Sequence, residues 1–322
     1  MAGRLEPWVL KRVLCATDFS DNAAAALDAA VAIARAARAK VRVVHVAPLA
    51  ARRGGAAGGL PVPAAGDKPG PDLPAALERF ASPAVAAGLE TERVLCHGDP
   101  AEEIVREARR AAANLIVLGR RSDGRPGELF VGSVAEGVAK CAPCPVMVVK
   151  PFPRPRGQKP RRVLCALDLG ETAPATVARA AALTSALPAD LVVLHVVRGP
   201  GEGPPGPARD SAAPSAPDAV QGAREGLAAL IADARIPSGR VRQEVLVGAP
   251  RDAIVDAVSE TGADLVVVGS HAGGVLDRQF LGSTTLHLLR KGDCDVLVVP
   301  AWVARTRSAR KETPALRSLG RV

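Results

Sequence analysis

Tyrosine is absent from the 322 residues, and tryptophan and phenylalanine together number seven. A chain so poor in aromatics is badly supplied for stacking unpaired bases. Long apolar runs are missing as well. Leu191–Val197 and Leu265–Val268 fall far short of the roughly 20 residues a bilayer helix demands. Met1–Lys11 has no apolar h-region and no cleavage site, so no secretory leader is expected. The six cysteines follow no framework spacing, which fits reduced thiols in a cytoplasmic protein. What is plentiful is apolar side chain, at 48%, enough to exclude disorder across the whole chain and to fill two domain cores.

The formal charge is +9, but its placement argues against a nucleic-acid face. Residues 150–162 carry a net +6 from Lys150, Arg154, Arg156, Lys159, Arg161 and Arg162. Residues 301–322 carry a net +5, which leaves the remainder at −2. The basicity belongs to a linker and a tail, the ordinary place for solvated charge. Nucleic acid is therefore not an expected partner, and neither is a membrane.

An internal repeat sets the organisation. Val13-Leu-Cys-Ala-Thr-Asp18 recurs as Val163-Leu-Cys-Ala-Leu-Asp168, and His45-Val46 as His195-Val196. Gly98-Asp-Pro100 recurs as Gly248-Ala-Pro250, Gly119 as Gly269, Gly132-Ser133 as Gly282-Ser283, and Cys144 as Cys294, every pair offset by 150 residues. The expected division is a first domain over 1–150, a second over 161–301, and a basic tail, read as disordered, over 302–322.

Within each copy, β-like and α-like segments alternate. In the first, strands are expected at Arg12–Ala16, Val41–Val46, Glu92–Cys96, Leu115–Leu118 and Val146–Val149. Helices are expected at about 21–38, Leu73–Ala87, from Asp99-Pro100 onward, and Val131–Cys141. Leu27, Ala30, Val31 and Ala34 form the apolar stripe of the first helix. The acidic cap Asp99, with Pro100 and Glu102 behind it, resembles a capping box. Long Gly/Pro/Ala-rich loops at roughly 48–72 and 198–217 interrupt the pattern. The implied class is α/β: two Rossmann-like domains, each a five-stranded parallel sheet with helices on both faces. In such sheets a ligand sits beyond the carboxyl ends of the strands, where strand order reverses.

The chemistry-bearing motifs fall at that rim. Copy one reads Gly119-Arg120-Arg121-Ser122, nine residues, then Gly132-Ser133; copy two reads Gly269-Ser270-His271-Ala272, nine residues, then Gly282-Ser283-Thr284. A strand-end glycine lets backbone approach a ligand. A Gly-Ser at a helix start offers free amides, a hydroxyl and the positive end of the dipole, a combination that suits phosphate. Simpler roles stand beside these. Asp18 could cap the next helix or bond loop amides, and Gly132 and Gly282 could be plain loop-to-helix glycines. His45 and His195 lie in strand runs and read as hydrogen-bonded core residues. Cys141-Ala-Pro-Cys144 lacks a second pair to complete a metal site and reads as two buried thiols paired by chance.

This arrangement resembles the universal stress protein family over nearly the whole chain, in tandem. The resemblance rests on Thr17-Asp18-Phe-Ser20, Val44-His45-Val46, Gly98-Asp-Pro100, Gly119 through Gly132-Ser133-Val134-Ala135-Glu136, and Ala142-Pro143-Cys144-Pro145-Val146. It implies that Asp18 sits at the adenosine end, with Thr17 near the base and Val46 at the adenine. Gly119, Gly132 and Ser133 then hold phosphates and ribose, and Arg120 and Arg121 could pair a phosphate directly. In copy two the equivalents are Asp168, Val196, Gly269, Gly282, Ser283 and Thr284, with His271 standing in the phosphate loop. Both copies depart from the family's Gly-x-x-Gly at one place, where Ser122 and Ala272 replace the second glycine, and Leu167 replaces Thr17.

Ligand and partner expectations follow from the same resemblance. The ligand is ATP, with ADP or AMP as alternatives; no metal is demanded by the sequence, and Mg²⁺ would accompany ATP. The two domains are expected to pair as an internal pseudo-dimer through Val146–Val149 and Val296–Val299, with a homodimer as a further option. The function implied is nucleotide binding in a stress response, without dedicated catalysis. A degenerate interaction module whose partner is another protein is the alternative, and a slow ATP hydrolase a third. No nucleophile elbow, Walker lysine or catalytic carboxylate pair is present.

Overall fold

Valine-, leucine- and isoleucine-rich segments run between alanine-rich ones along the chain, and each type takes the form its side chains favour. The computed structural model describes residues 8–48, 72–120, 132–150, 162–187, 189–199, 216–236, 238–270 and 281–301. The first half runs β1 (Arg12–Thr17), α1 (Asp21–Ala37), β2 (Lys40–Ala47), α2 (Leu73–Ala86), β3 (Thr91–His97), α3 (Pro100–Arg110), β4 (Leu115–Gly119), α4 (Ser133–Cys141) and β5 (Val146–Val149). The second repeats it as β6 (Arg162–Leu167), α5 (Ala173–Ala186), β7 (Asp190–Val197), α6 (Ala216–Asp233), β8 (Val241–Val247), α7 (Pro250–Thr261), β9 (Leu265–Gly269), α8 (Ser283–Lys291) and β10 (Asp295–Val299).

Helix boundaries have local causes. Ser20 caps α1 by accepting from the Ala23 amide, and Arg38 closes it in the left-handed region at φ 53°. Asp99 caps α3 by accepting from the Glu102 amide at 3.0 Å, with Pro100 at the first helical position. Gly98 before it, like Gly248 in the second half, has a φ of 141° or 151°, which a side chain would strain. The buried stripe of α1 is Ala23, Ala26, Leu27, Ala30, Ile33 and Ala34. Val31, expected in that stripe, is only partly buried and packs at its margin.

Each half contributes five parallel strands, and the halves join into one ten-stranded sheet in the order β3-β2-β1-β4-β5-β10-β9-β6-β7-β8. The two expected edges meet: β5 and β10 pair antiparallel, with Met147 opposite Leu297. Pairing these apolar strands with each other removes two bare edges. Helices α3, α4, α7 and α8 cover one face of the sheet, and α1, α2, α5 and α6 the other. Alternate strand residues divide between them, Leu14 and Ala16 facing one core while Val13 and Cys15 face the other. Both cores run through both halves, so the duplicated units share their hydrophobic interior. Among the described residues, no helix is long and apolar enough to cross a membrane.

Candidate functional site at the carboxyl ends of the second-half strands

Within the second half β6 lies between β7 and β9, so the chain crosses the sheet in opposite directions from that point. A cavity of about 760 Å³ opens there, beyond the carboxyl ends of the three strands. Asp168, Val196, Gly269, Gly282, Ser283 and Thr284 all line it. Apolar wall comes from Leu167, Leu169, Val196 and Ile254, and from Ala219 and Ala223 of α6.

Its polar groups are partly committed. Asp168 Oδ1 accepts from the Gly170 amide at 3.0 Å, which turns the chain sharply after β6. His195 has Nδ1 2.8 Å from the Leu167 carbonyl; that oxygen can only accept, so Nδ1 carries a proton and donates it. Thr176 Oγ1 donates to the Thr172 carbonyl at 2.9 Å, and Thr285 Oγ1 to the Gly269 carbonyl at 2.8 Å. Gly282 precedes α8 with no side-chain cap, so the first-turn amides of that helix are left to the cavity or to solvent. A nine-residue helix starting at the rim brings the positive end of its dipole there.

The first half uses the same elements differently. Asp18 Oδ1 accepts from the Ser20 amide at 3.0 Å, so it bonds a loop amide while Ser20 does the helix capping. Thr17 Oγ1 accepts from the Phe19 amide at 2.9 Å, holding Phe19 at a φ of 65°. Phe19 stacks on His45 with ring centroids 4.3 Å apart and meets Phe80 edge-on at 5.9 Å. His45 Nδ1 lies 2.8 Å from the Thr17 carbonyl, as its counterpart does in the second half. Gly132 opens α4 and, like Gly282, carries no side-chain cap bond. Val46 is buried at the end of β2.

A family model for the universal stress protein family matches residues 10–150 and again residues 159–300. The chain belongs to the universal stress protein family. Universal stress protein YxiE of Bacillus subtilis is 30% identical over 151 residues, an alignment spanning 44% of this chain and 100% of that protein. A universal stress protein of Thermus aquaticus is 36% identical over 152 residues, again 44% of this chain and 100% of the relative. Solved structures of full tandem length agree in fold. A universal stress protein from Archaeoglobus fulgidus matches with a TM-score of 0.62 at 22% identity, covering 90% of this chain and 96% of its own. A Pseudomonas aeruginosa protein described as a putative universal stress protein matches at 0.66 and 17%, covering 94% and 99%.

Within this tandem universal stress protein, two expectations need correcting. Arg120 is not available to pair a phosphate in the first half. Its side chain is 3% exposed and donates from Nη1 to the Gly292 carbonyl at 2.9 Å and from Nη2 to the Arg290 carbonyl, both in the second half. Cys141 is exposed and only Cys144 is buried, so they are not two buried thiols; both are free. Arg121, Ser122, His271 and Ala272 lie outside the described residues, as do the linker over 151–160 and the tail beyond residue 301.

The hydroxyls of Thr172, Thr176 and Thr285 were not singled out from the sequence. A position-by-position comparison of the repeats would have found them, because their counterparts at the 150-residue offset are Asn22, Ala26 and Ala135. These three changes place hydroxyls around the Gly269 end of the second cavity, where the first half has an amide and two methyl groups.

Proposed function

We propose that this universal stress protein binds an adenine nucleotide, with ATP the first candidate and ADP or AMP next, and that binding rather than catalysis is its activity. In this reading residues 1–150 and 161–301 are the two domains, 302–322 is a tail, and the second crevice is the primary site. One observation carries it: Asp168, Val196, Gly269, Gly282, Ser283 and Thr284, drawn from four separate stretches of chain, line one cavity of about 760 Å³. That volume lies in the range of small-molecule pockets.

Each group has a task that its chemistry suits. The apolar wall of Leu167, Val196 and the α6 alanines takes the flat face of a base. The Asp168 carboxylate has a second oxygen for ribose hydroxyls, and His195 Nε2 accepts from an N–H. The uncapped start of α8, with Ser283 and Thr284, faces the phosphates. Mg²⁺ would arrive with ATP. Thr17, Asp18, Val46, Gly119, Arg121, Ser122, Gly132 and Ser133 are the corresponding candidates of the first half, and His271 joins the second.

Thermal unfolding with ATP, ADP or AMP tests the reading. Binding at 100 times Kd adds about 2.7 kcal/mol to the folded state, a rise of several degrees. No rise with any of the three would remove the nucleotide and leave the protein-interaction module as the function.

A further inference from the structure

The cavity of the second half is bounded by one helix whose far end is held by the first half. Helix α8 presents Gly282, Ser283 and Thr284 to the cavity at its start. Nine residues and about 13 Å later it ends at Lys291, with Gly292 as its C-cap. The Arg120 guanidinium is buried against that end, donating to the carbonyls of Arg290 and Gly292. A cation there meets the negative end of the helix dipole and supplies donors to carbonyls that have no partner inside the helix. Burial lowers the Arg120 pKa, opposed by the nearby Asp293 carboxylate, and the guanidinium remains charged.

A second contact converges on the same turn. Glu136, in the first turn of α4, pairs with Arg290 at 3.5 Å and with Lys140 at 2.7 Å. Arg120, just past the end of β4, and Glu136, in the first turn of α4, therefore both reach α8 from the first half. The repeat carries different residues at these two places. Ser270 stands where symmetry would place a second Arg120, and its Oγ accepts from the Ala301 amide inside its own half. Leu286 stands in place of Glu136.

We infer that Arg120 is a positioning residue: it holds the C-terminal end of α8 so that the amides and hydroxyls at the N-terminal end keep their place in the second cavity, making the first half a determinant of the second half's ligand affinity. The step to affinity rests on the nucleotide reading above. The step to helix position rests on the hydrogen bonds alone. Loss of the guanidinium takes the donor from two carbonyls in a buried seam, and a short helix relieves that by shifting or fraying. Its start is tied to β9 through the Thr285 hydroxyl on the Gly269 carbonyl, so the shift is felt at the cavity floor.

The test uses the full chain. Hydrogen exchange at the amides of residues 286–289, the first that are bonded within α8, is followed without nucleotide in the wild type, Arg120→Ala and Arg120→Lys, and ATP affinity is measured by calorimetry in the same three proteins. Expected are faster exchange at 286–289 and roughly three- to tenfold weaker ATP binding in Arg120→Ala, with Arg120→Lys between the two. Ile104→Val, a core change on α3, is the control for general destabilisation and should leave both exchange at 286–289 and ATP affinity unmoved. Should Arg120→Ala not fold, Arg120→Lys carries the comparison. Unchanged exchange at 286–289 in the variants that fold overturns the inference, whatever ATP does. Faster exchange with no ATP binding in the wild type upholds the positioning and removes the nucleotide.

Discussion

The backbone carbonyl of Asn22 lies 2.5 Å from the point where a Cβ on Gly119 would stand. The start of α1 is therefore pressed against the end of β4, and only glycine admits that approach. At the matching place in the second half, a Cβ on Gly269 would meet the Thr172 hydroxyl at 3.0 Å. The same glycine thus answers to rigid backbone in one copy and to a movable side chain in the other. The difference begins with Ser20, whose counterpart is Gly170. Without that cap, and with Pro174 near the helix start, α5 begins at Ala173, two residues later than α1 does.

Alanine at the two glycines should separate these cases. Gly119→Ala must displace backbone and should cost about 2–3 kcal/mol, in the range of overpacked cores. Gly269→Ala needs only a small adjustment of Thr172 and should cost about 1 kcal/mol or less. Urea unfolding of the two variants measures both, and equal losses would contradict the geometry.

The two capping positions before α3 and α7 have nearly the same backbone, φ −72° and ψ 124° at Asp99 against φ −72° and ψ 118° at Ala249. Asp99→Ala removes an acceptor from the Glu102 amide and should destabilise by about 1 kcal/mol. Ala249→Asp installs the missing acceptor and should stabilise by about the same amount. Thermal unfolding should show the two changes with opposite sign.

Burial pushes the Cys15 and Cys144 thiols up to about 12 from an ordinary value of 9.0, and Cys165 is raised likewise. The folded protein keeps these protons while the unfolded chain loses them above about pH 9. Stability is then fully present below about pH 9 and falls as pH rises from 9 toward 12. Urea midpoints at pH 8, 9 and 10 should decline, and Cys15→Ala should make the decline shallower. At pH 8 a thiol reagent should label the exposed Cys141 well before Cys15, Cys144 or Cys165.

Ala219 lines the second cavity from α6 and is only half-buried, so a large side chain can enter the cavity from it without opening the core. Ala219→Trp should abolish any nucleotide-dependent rise in melting temperature while leaving the unliganded protein folded. A full rise in that variant would place the ligand elsewhere.

The sheet, its helices and the rim residues could be read from the chain because their signals are local or repeated. Valine runs, Asp99 before Pro100, and pairs 150 residues apart need no knowledge of distant contacts. In the stripe of α1, Val31 and Ile33 are both apolar, and only packing against the sheet selects Ile33. Arg120 escapes the sequence for a stronger reason. An arginine beside a strand-end glycine has the same local appearance whether it faces an anion or a helix end.

Composition and duplication alone settled that two copies of a βα unit exist and that each ends a strand in a glycine before an anion-suited helix start. Three-dimensional packing settled the rest: it bore out the pairing of β5 with β10, brought the hydroxyls of Thr172, Thr176 and Thr285 to Gly269, and gave Arg120 to the neighbouring half. The reason is range. Helix and strand preference, caps and turns are energies between residues a few positions apart, whereas the partner of a buried guanidinium 170 residues away along the chain is chosen by which surfaces the folded halves bring together.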